Sequence, residues 1–346
     1  MNKSSRIRNV LLISSFLIFI IVVVGGYTRL QKAGLSITEW KPISGVVPPI
    51  SQEDWEMEFE KYKKIAQYRL VHPNITLSDF KRIYLIEYFH RLFARAVGLF
   101  VFLSFIWLVF VKEIKSFWFL YFIVLFLLFG LQGLLGWLMV RTGVVNEIPF
   151  VDPVFLAIHK LFAMLVFSYV FFGAFLADDG SVFRRFDNSK KIKNLAFLGI
   201  MLFLIQVFFG ALLAGYKGAL LAPTYPHING EMIPYYVFSS LPVFSNFFHR
   251  HFPWVILVIL LLLLKYSKFA FWGILIWVIQ FLLGLFTLIH SRAGEIPQGL
   301  ALLHQANGWV MFSFFLYMLY STFIYRPYEK IKIISERKFK IISVNR

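Results

Sequence analysis

Apolar residues in this chain gather into eight long runs, at 10–26, 85–111, 117–140, 154–176, 195–214, 247–264, 269–290 and 300–325. A helix needs roughly 20 mainly apolar residues to cross the hydrocarbon core of a bilayer, so each run reads as a spanning helix. The expected fold is an all-α membrane protein with eight transmembrane helices. Only one connection is long. Within it (27–84), Ser51 followed by Asp54 is an N-cap pattern, and Trp55, Phe59, Tyr62 and Ile65 then recur at helical spacing. Glu53, Glu56, Glu60, Lys63 and Lys64 fall on the other face, which predicts an amphipathic helix lying on the membrane interface. Ser78 and Asp79 form a second cap leading into the second span, while Lys41-Pro42 and Pro48-Pro49 mark extended turns.

The runs also repeat in fours. Histidine stands near the outer start of the second, fourth, sixth and eighth, at His90, His159, His249 and His304. Phe89-His90-Arg91 is echoed by Phe248-His249-Arg250. Gln132-x-x-x-Gly136 in the third run is echoed by Gln280-x-x-x-Gly284 in the seventh, and more loosely by Gln206 and Gly210 in the fifth. A repeat four helices long keeps both halves in one orientation, as two pseudo-repeated four-helix bundles about an axis along the membrane normal. The expected division is an N-terminal bundle over 1–177 that includes the outer segment 27–84, a cytoplasmic linker over 178–194, a C-terminal bundle over 195–325, and a basic cytoplasmic tail over 326–346.

Charge sets the orientation. A net charge of +17 would by itself suit a nucleic-acid partner, but its distribution argues against one. The N-terminus, the loops 112–116, 178–194 and 265–268 and the tail share one side and hold 19 basic against 6 acidic residues. The other side holds 12 against 11. The positive-inside rule then puts both termini in the cytoplasm, with the basic residues near anionic lipid headgroups. The first run follows Lys3, Arg6 and Arg8 without a good cleavage site, and reads as a retained helix. No Arg- and Ser-rich extension precedes it, which favours a bacterial cytoplasmic (inner) membrane. The absence of cysteine removes disulfides, thiolate haem ligation and cysteine-held iron–sulfur clusters.

Ionisable groups inside spans are costly and functional by default. Four histidines at one depth, two per repeat, suit axial ligation of haem iron between facing helices; the bland alternative is hydrogen bonding between helices. Arg91 and Arg250 directly follow their histidines, and either pair with haem carboxylates or snorkel to headgroups. Arg95, one turn past Arg91, lies deeper than snorkelling readily explains. Glu87, three residues before His90, is the one carboxylate inside a span. It either accepts a proton from water or stabilises a developing cation beside a porphyrin, or it pairs with Arg91. The matching position in the other half is Asn246. His72, His227, His251 and His290 read as structural. Two other functions stay open: a bis-histidine membrane cytochrome b that only carries electrons, and a transporter that uses the histidines as proton carriers.

Five blocks resemble the haem A synthase family: GGYTRLQKAGLSITEWKPISGVVPP (25–49), EYFHRLFARAVG (87–98), LQGLLGWLMVRTG (131–143), FHR (248–250) and LLHQA (302–306). They fall in order, and the resemblance covers nearly the whole chain up to the tail. It implies an oxidoreductase that converts a ring methyl of haem O to the formyl group of haem A through hydroxylated intermediates, with oxygen from water, for cytochrome oxidase assembly. It implies haem b as cofactor, its iron on His249 and His304 with Arg250 nearby. Haem O as substrate would lie between His90 and His159 with Arg91 and Arg95, and Glu87 would be the catalytic carboxylate. Implied partners are haem O synthase, oxidase assembly components, an electron acceptor that the residues do not identify, membrane lipid, and a second copy of the chain in a homo-oligomer. Three features depart from the family. The cysteine pair that some members carry in an outer loop is missing. Lys160 follows His159 where an apolar residue is commoner, and the Ala-Gly part of loop 214–234 is irregular.

Overall fold

The computed structural model describes residues 3–41, 44–145, 149–178, 180, 182–183, 190–291 and 294–323. The expected tail, residues 324 and 325 of the last run, residues 179, 181 and 184–189 of the expected linker, and Pro42 lie outside the described residues. Regular structure among the described residues is helical apart from isolated bridges. In chain order the helices are α1 (Lys3–Leu30), α2 (Gln52–Lys63), α3 (Ala66–Val71), α4 (Leu77–Phe110), α5 (Ser116–Val145), α6 (Pro153–Leu176), α7 (Lys190–Gly215), α8 (Leu241–His251), α9 (Pro253–Leu264), α10 (Ala270–Ile289) and α11 (Gln298–Phe323).

Over the described residues, the eight apolar runs coincide with helices or, for the sixth, with the consecutive pair α8 and α9. Seven stretches among the described residues are long and apolar enough to cross a membrane: α1, α4, α5, α6, α7, α8 with α9, and α10. The eighth, α11, is 26 residues long but diluted by Gln298, Gln305 and Asn307. Its position explains this. It packs against α1, α6, α7 and α10 and buries Trp309, Met311, Phe312, Phe315 and Met318. A helix packed largely against protein needs less lipid-facing apolar surface, and on α11 Leu303 and Val310 stay exposed.

The 34 residues of α4 give it a length of about 51 Å, against a hydrocarbon core of about 30 Å, so its first turns project beyond the core. The cap that starts it is Thr76, two residues before the expected Ser78. Thr76 Oγ1 accepts from the Asp79 N–H at 3.1 Å, and the Asp79 carboxylate accepts from the Thr76 N–H at 3.2 Å. The projecting end changes the fate of α2. Ser51 caps α2 as expected, but Trp55, Phe59, Tyr62 and Ile65 are buried against Phe80, Tyr84 and Tyr88 of α4. The apolar face of α2 therefore covers protein rather than lipid; Phe59 stacks on Phe80 at 4.9 Å between centroids.

The sixth run is broken where α8 gives way to α9 at Pro253. Proline has no N–H for the carbonyl one turn back, which here belongs to His249. Around the core, α1 packs on α4 and α6, and α5 on α4 and α6. In the second half α7 packs on α9 and α11, and α10 on α9 and α11, giving the same order of neighbours. The halves meet through α6 with α7 and α1 with α11, and one continuous apolar core runs through both. At the end away from the four histidines, Arg8 pairs with the buried Asp178 at 3.0 Å and Arg6 with Glu113 at 3.4 Å.

Candidate functional site

Each of the four span histidines rests on a glycine of a neighbouring helix. A Cβ added to Gly25 on α1 would lie 3.0 Å from His90 Nε2, and one on Gly136 of α5 would lie 3.0 Å from His159 Cε1. On Gly210 of α7 it would meet His249 Cε1 at 2.5 Å, and on Gly284 of α10 it would meet His304 Cε1 at 2.8 Å. At Gly210 and Gly284 a side chain has no room unless the ring shifts, and at Gly25 and Gly136 the ring would have to give slightly. One turn before three of these glycines stands a glutamine that grips the same ring. Gln132 Nε2 is 3.2 Å from His159 Nε2, Gln206 Nε2 is 2.9 Å from His249 Nδ1, and Gln280 Nε2 is 3.1 Å from His304 Nδ1. The Gln-x-x-x-Gly spacing is thus a seat and a clasp for an imidazole on the next helix. Position 21, one turn before Gly25, is isoleucine, and no hydrogen-bond partner meets the His90 ring among the described residues.

In the C-terminal half the two imidazoles face each other with centroids 6.1 Å apart and planes at 83°. Two imidazoles bound to one metal ion by bonds of about 2 Å have centroids roughly 6 Å apart, so this spacing accepts a single iron. The Nδ1 of His249 lies 3.2 Å from the Gln206 carbonyl and that of His304 lies 3.1 Å from the Gln280 carbonyl. Each Nδ1 thus faces both a glutamine amide and a carbonyl; in the tautomer whose Nδ1–H donates to the carbonyl instead of accepting from the amide, the Nε2 lone pair is free, as a ligating imidazole requires. Gln206 Nε2 also donates to the His249 carbonyl at 2.9 Å, the acceptor that Pro253 leaves without its helical partner. Both rings line a cavity of about 230 Å³, walled also by Gln206, Trp277, Gln280 and Phe281 and reached from the other half by Arg29 and Met164. Two neutral imidazoles across a mainly apolar slot fit a bis-histidine haem.

The N-terminal carboxylate and its arginines hold the outer segment. Glu87 is buried. Its Oε2 accepts from Ser36 Oγ at 2.7 Å and from the Ile37 N–H at 2.9 Å, and its Oε1 accepts from Arg91 at 2.6 Å. Arg91 also donates to the carbonyls of Ile37 and Glu39, and Arg95 to that of Lys41 at 2.8 Å. Trp40, at the end of this tethered stretch, stacks on Trp137 of α5 at 5.0 Å. The equivalent residues of the other half do a similar job without the acid. Buried Asn246 donates to the Gly218 carbonyl at 2.6 Å, and Arg250 donates to the carbonyls of Thr224 and Ala222. Arg250 Nε meets no partner among the described residues.

The structure brings His249 and His304 together, and places Glu87, Arg91 and Arg95 along one tethered strip of the outer segment. Arg250 lines the cavity as well, with its terminal nitrogens held by the loop after α7. Three of the four remaining histidines have local ring partners, His72 Nδ1 with Tyr62 Oη, and His251 and His290 with carbonyls one turn earlier; at His227 the carbonyl accepts from Thr224 Oγ1 at 2.7 Å. His72 lies outside the spans, and burial pushes its pKa below the ordinary value, helped by the nearby Lys32 charge. Sequence reasoning missed Ser36, the four glycine seats and the break at Pro253. The proline was a visible signal; the glycine roles need the partner helix.

The chain matches the COX15-CtaA family model, described as cytochrome oxidase assembly protein, over residues 8–316. It is 35% identical over 324 residues to a protein of Wolbachia pipientis wMel named Heme A synthase, with 89% of this chain and 90% of that one covered. A protein of the same name from Ehrlichia canis (strain Jake) is 34% identical over 325 residues, covering 90% and 91%. One from Bartonella tribocorum is 36% identical over 314 residues, covering 85% and 86%.

Proposed function

Since this chain belongs to the COX15-CtaA family of cytochrome oxidase assembly proteins, we propose that it is a haem A synthase, oxidising a ring methyl of haem O to a formyl group. The observation that carries this reading is the glycine-seated imidazole at four positions, with a buried carboxylate beside only one of them. In each of two rounds the methyl carbon gains a water oxygen and releases two electrons and two protons. The resulting gem-diol loses water to give the aldehyde.

His249 and His304 would hold haem b, and the proposed domain division makes residues 195–325 the cofactor half. Haem b, when bound, supplies a redox centre through which electrons can leave toward an outside acceptor. His90 and His159 would flank the substrate haem O in the 1–177 half. Arg91, Arg95 and the outer segment they tether would close that half, and Arg250 would fix the loop over the cofactor. Glu87 would orient water and take its proton, sharing its oxygens with Ser36 and Arg91. The setting would be a bacterial inner membrane with both termini cytoplasmic, and the protein would receive haem O from its synthase.

The fully engaged Glu87 oxygens favour a second reading, an electron-carrying cytochrome b in which this residue only ties down the loop. Haem analysis separates the two. Membranes would carry this chain and a haem O synthase in a host that makes no haem A, and extracted haems would be identified by mass. Haem A or its hydroxylated precursor is expected. Unchanged haem O beside bound haem b, in a host where a known relative converts it, would sink the enzymatic reading. Glu87→Asn, which copies the C-terminal half, should keep haem b and lower conversion by about 100-fold or more.

A further inference from the structure

The residue after each loop-proximal histidine of α6 and α11 reaches into the opposite half. On α11, Gln305 follows His304 and donates to the Val22 carbonyl of α1 at 2.8 Å, tight against Gly26. On α6, Lys160 follows His159 and lines the same cavity as His249 and His304. Arg29, at the end of α1, lines the same cavity and donates to the Ala214 carbonyl of α7 at 3.1 Å. Lys160 is an electrostatic neighbour of Arg29, His249 and His304. It meets no hydrogen-bond or ion-pair partner among the described residues, and none of the described residues lining the cavity is acidic.

Three cations, Arg29, Lys160 and Arg250, therefore line a largely apolar slot with nothing anionic among the described residues of its wall. A charged amine in such a place is unfavourable unless an anion arrives to pair with it. The terminal nitrogens of Arg250 are already held by loop carbonyls, so that residue supplies less. A porphyrin seated on His249 and His304 would bring two carboxylates into this same space.

We propose that Lys160, with Arg29 beside it, binds a carboxylate of the porphyrin held in the C-terminal cavity, so that the N-terminal half completes the cofactor site. The inference rests on the haem reading above and adds a coupling to it. His159 and Lys160 are consecutive on α6, so one helix serves the proposed substrate site with one residue and the cofactor with the next.

The test compares haem with its dimethyl ester, whose carboxylates carry no charge, each reconstituted into the full-length purified protein. Transfer to apomyoglobin is followed by absorbance for wild type, Lys160→Met and Lys160→Arg. Wild type should release the diester roughly tenfold or more faster than haem, as loss of a charge-assisted hydrogen bond implies. In Lys160→Met that ratio should fall several-fold, and Lys160→Arg should restore it. The midpoint potential of bound haem should also fall in Lys160→Met, which removes a positive charge near the iron, and stay close to wild type in Lys160→Arg. A wild-type protein that releases haem and diester at one rate overturns the proposal, whatever the variants do. So does a Lys160→Met protein that keeps the wild-type ratio and potential. A wild-type protein that takes up neither porphyrin would instead refute the haem reading itself.

Discussion

The two halves use matching positions for matching tasks and differ in how firmly they hold their histidines. In the C-terminal half both imidazoles have a glycine seat, a glutamine clasp and a carbonyl under Nδ1. In the N-terminal half His159 has its seat and its clasp, but His90 has only Gly25 behind it. The loop anchors differ as well. Three residues before the histidine, the C-terminal half has neutral Asn246 and the N-terminal half has Glu87 paired with Arg91. One half thus has two clasped rings and an asparagine at the matching position, the other one clasped ring, one unclasped ring and a buried acid. A permanent cofactor calls for the first arrangement. A substrate that must enter, react and leave calls for the second.

The largest effect should come from removing ligands on either side of this divide. His249→Ala or His304→Ala is expected to strip haem b from the purified protein, read as haem per chain by the pyridine haemochrome assay. His90→Ala or His159→Ala should leave that haem in place and abolish conversion of haem O. Equal loss of haem from all four variants would mean that both halves hold permanent cofactors, and the contrast between them would fail.

Much of this was legible because a bilayer allows few solutions. Backbone groups in hydrocarbon must be satisfied internally, so apolar runs mark helices, and a histidine among them is conspicuous. The destination of α2 was not legible. Whether Trp55 and Phe59 meet lipid or protein depends on how far α4 projects, and Thr76 rather than Ser78 starts that helix. The spacing of Gln206 and Gly210 was visible, but its meaning lies on α8, where His249 supplies the ring. For α11 the signal misled in part: its polar residues weaken it as a membrane helix, yet they are polar because Gln305 and Asn307 bond to neighbouring helices.

A smaller effect should follow from filling the seats. A methyl at position 210 would lie 2.5 Å from a ring that a glutamine and a carbonyl hold in place. Gly210→Ala should therefore displace His249 and weaken haem b binding by about 1–3 kcal/mol, the usual scale of overpacking. Gly25→Ala brings its methyl 3.0 Å from a ring with no clasp, and that ring can give way. Haem retention measured on both variants should be reduced in the first and unchanged in the second. Loss of haem b in Gly25→Ala would show that the two halves are mechanically coupled at α1 and would spoil the simple division.

The smallest effect is also the most direct probe of the unclasped ring. Ile21 stands one turn before Gly25, as Gln206 stands before Gly210, so Ile21→Gln offers His90 the partner that its three counterparts have. A neutral hydrogen bond contributes about 0.5–1.5 kcal/mol, enough to lengthen the stay of the substrate a few-fold. Turnover of haem O should slow by a similar factor while more porphyrin remains bound at steady state, and haem b content should not move. Gln206→Leu should act in the opposite sense on the cofactor, speeding its loss while leaving haem O uptake intact. Should Ile21→Gln leave porphyrin dwell time unchanged, the missing glutamine is not what makes the N-terminal half exchangeable. The difference between the halves would then rest on the Glu87–Arg91 pair and the segment it tethers.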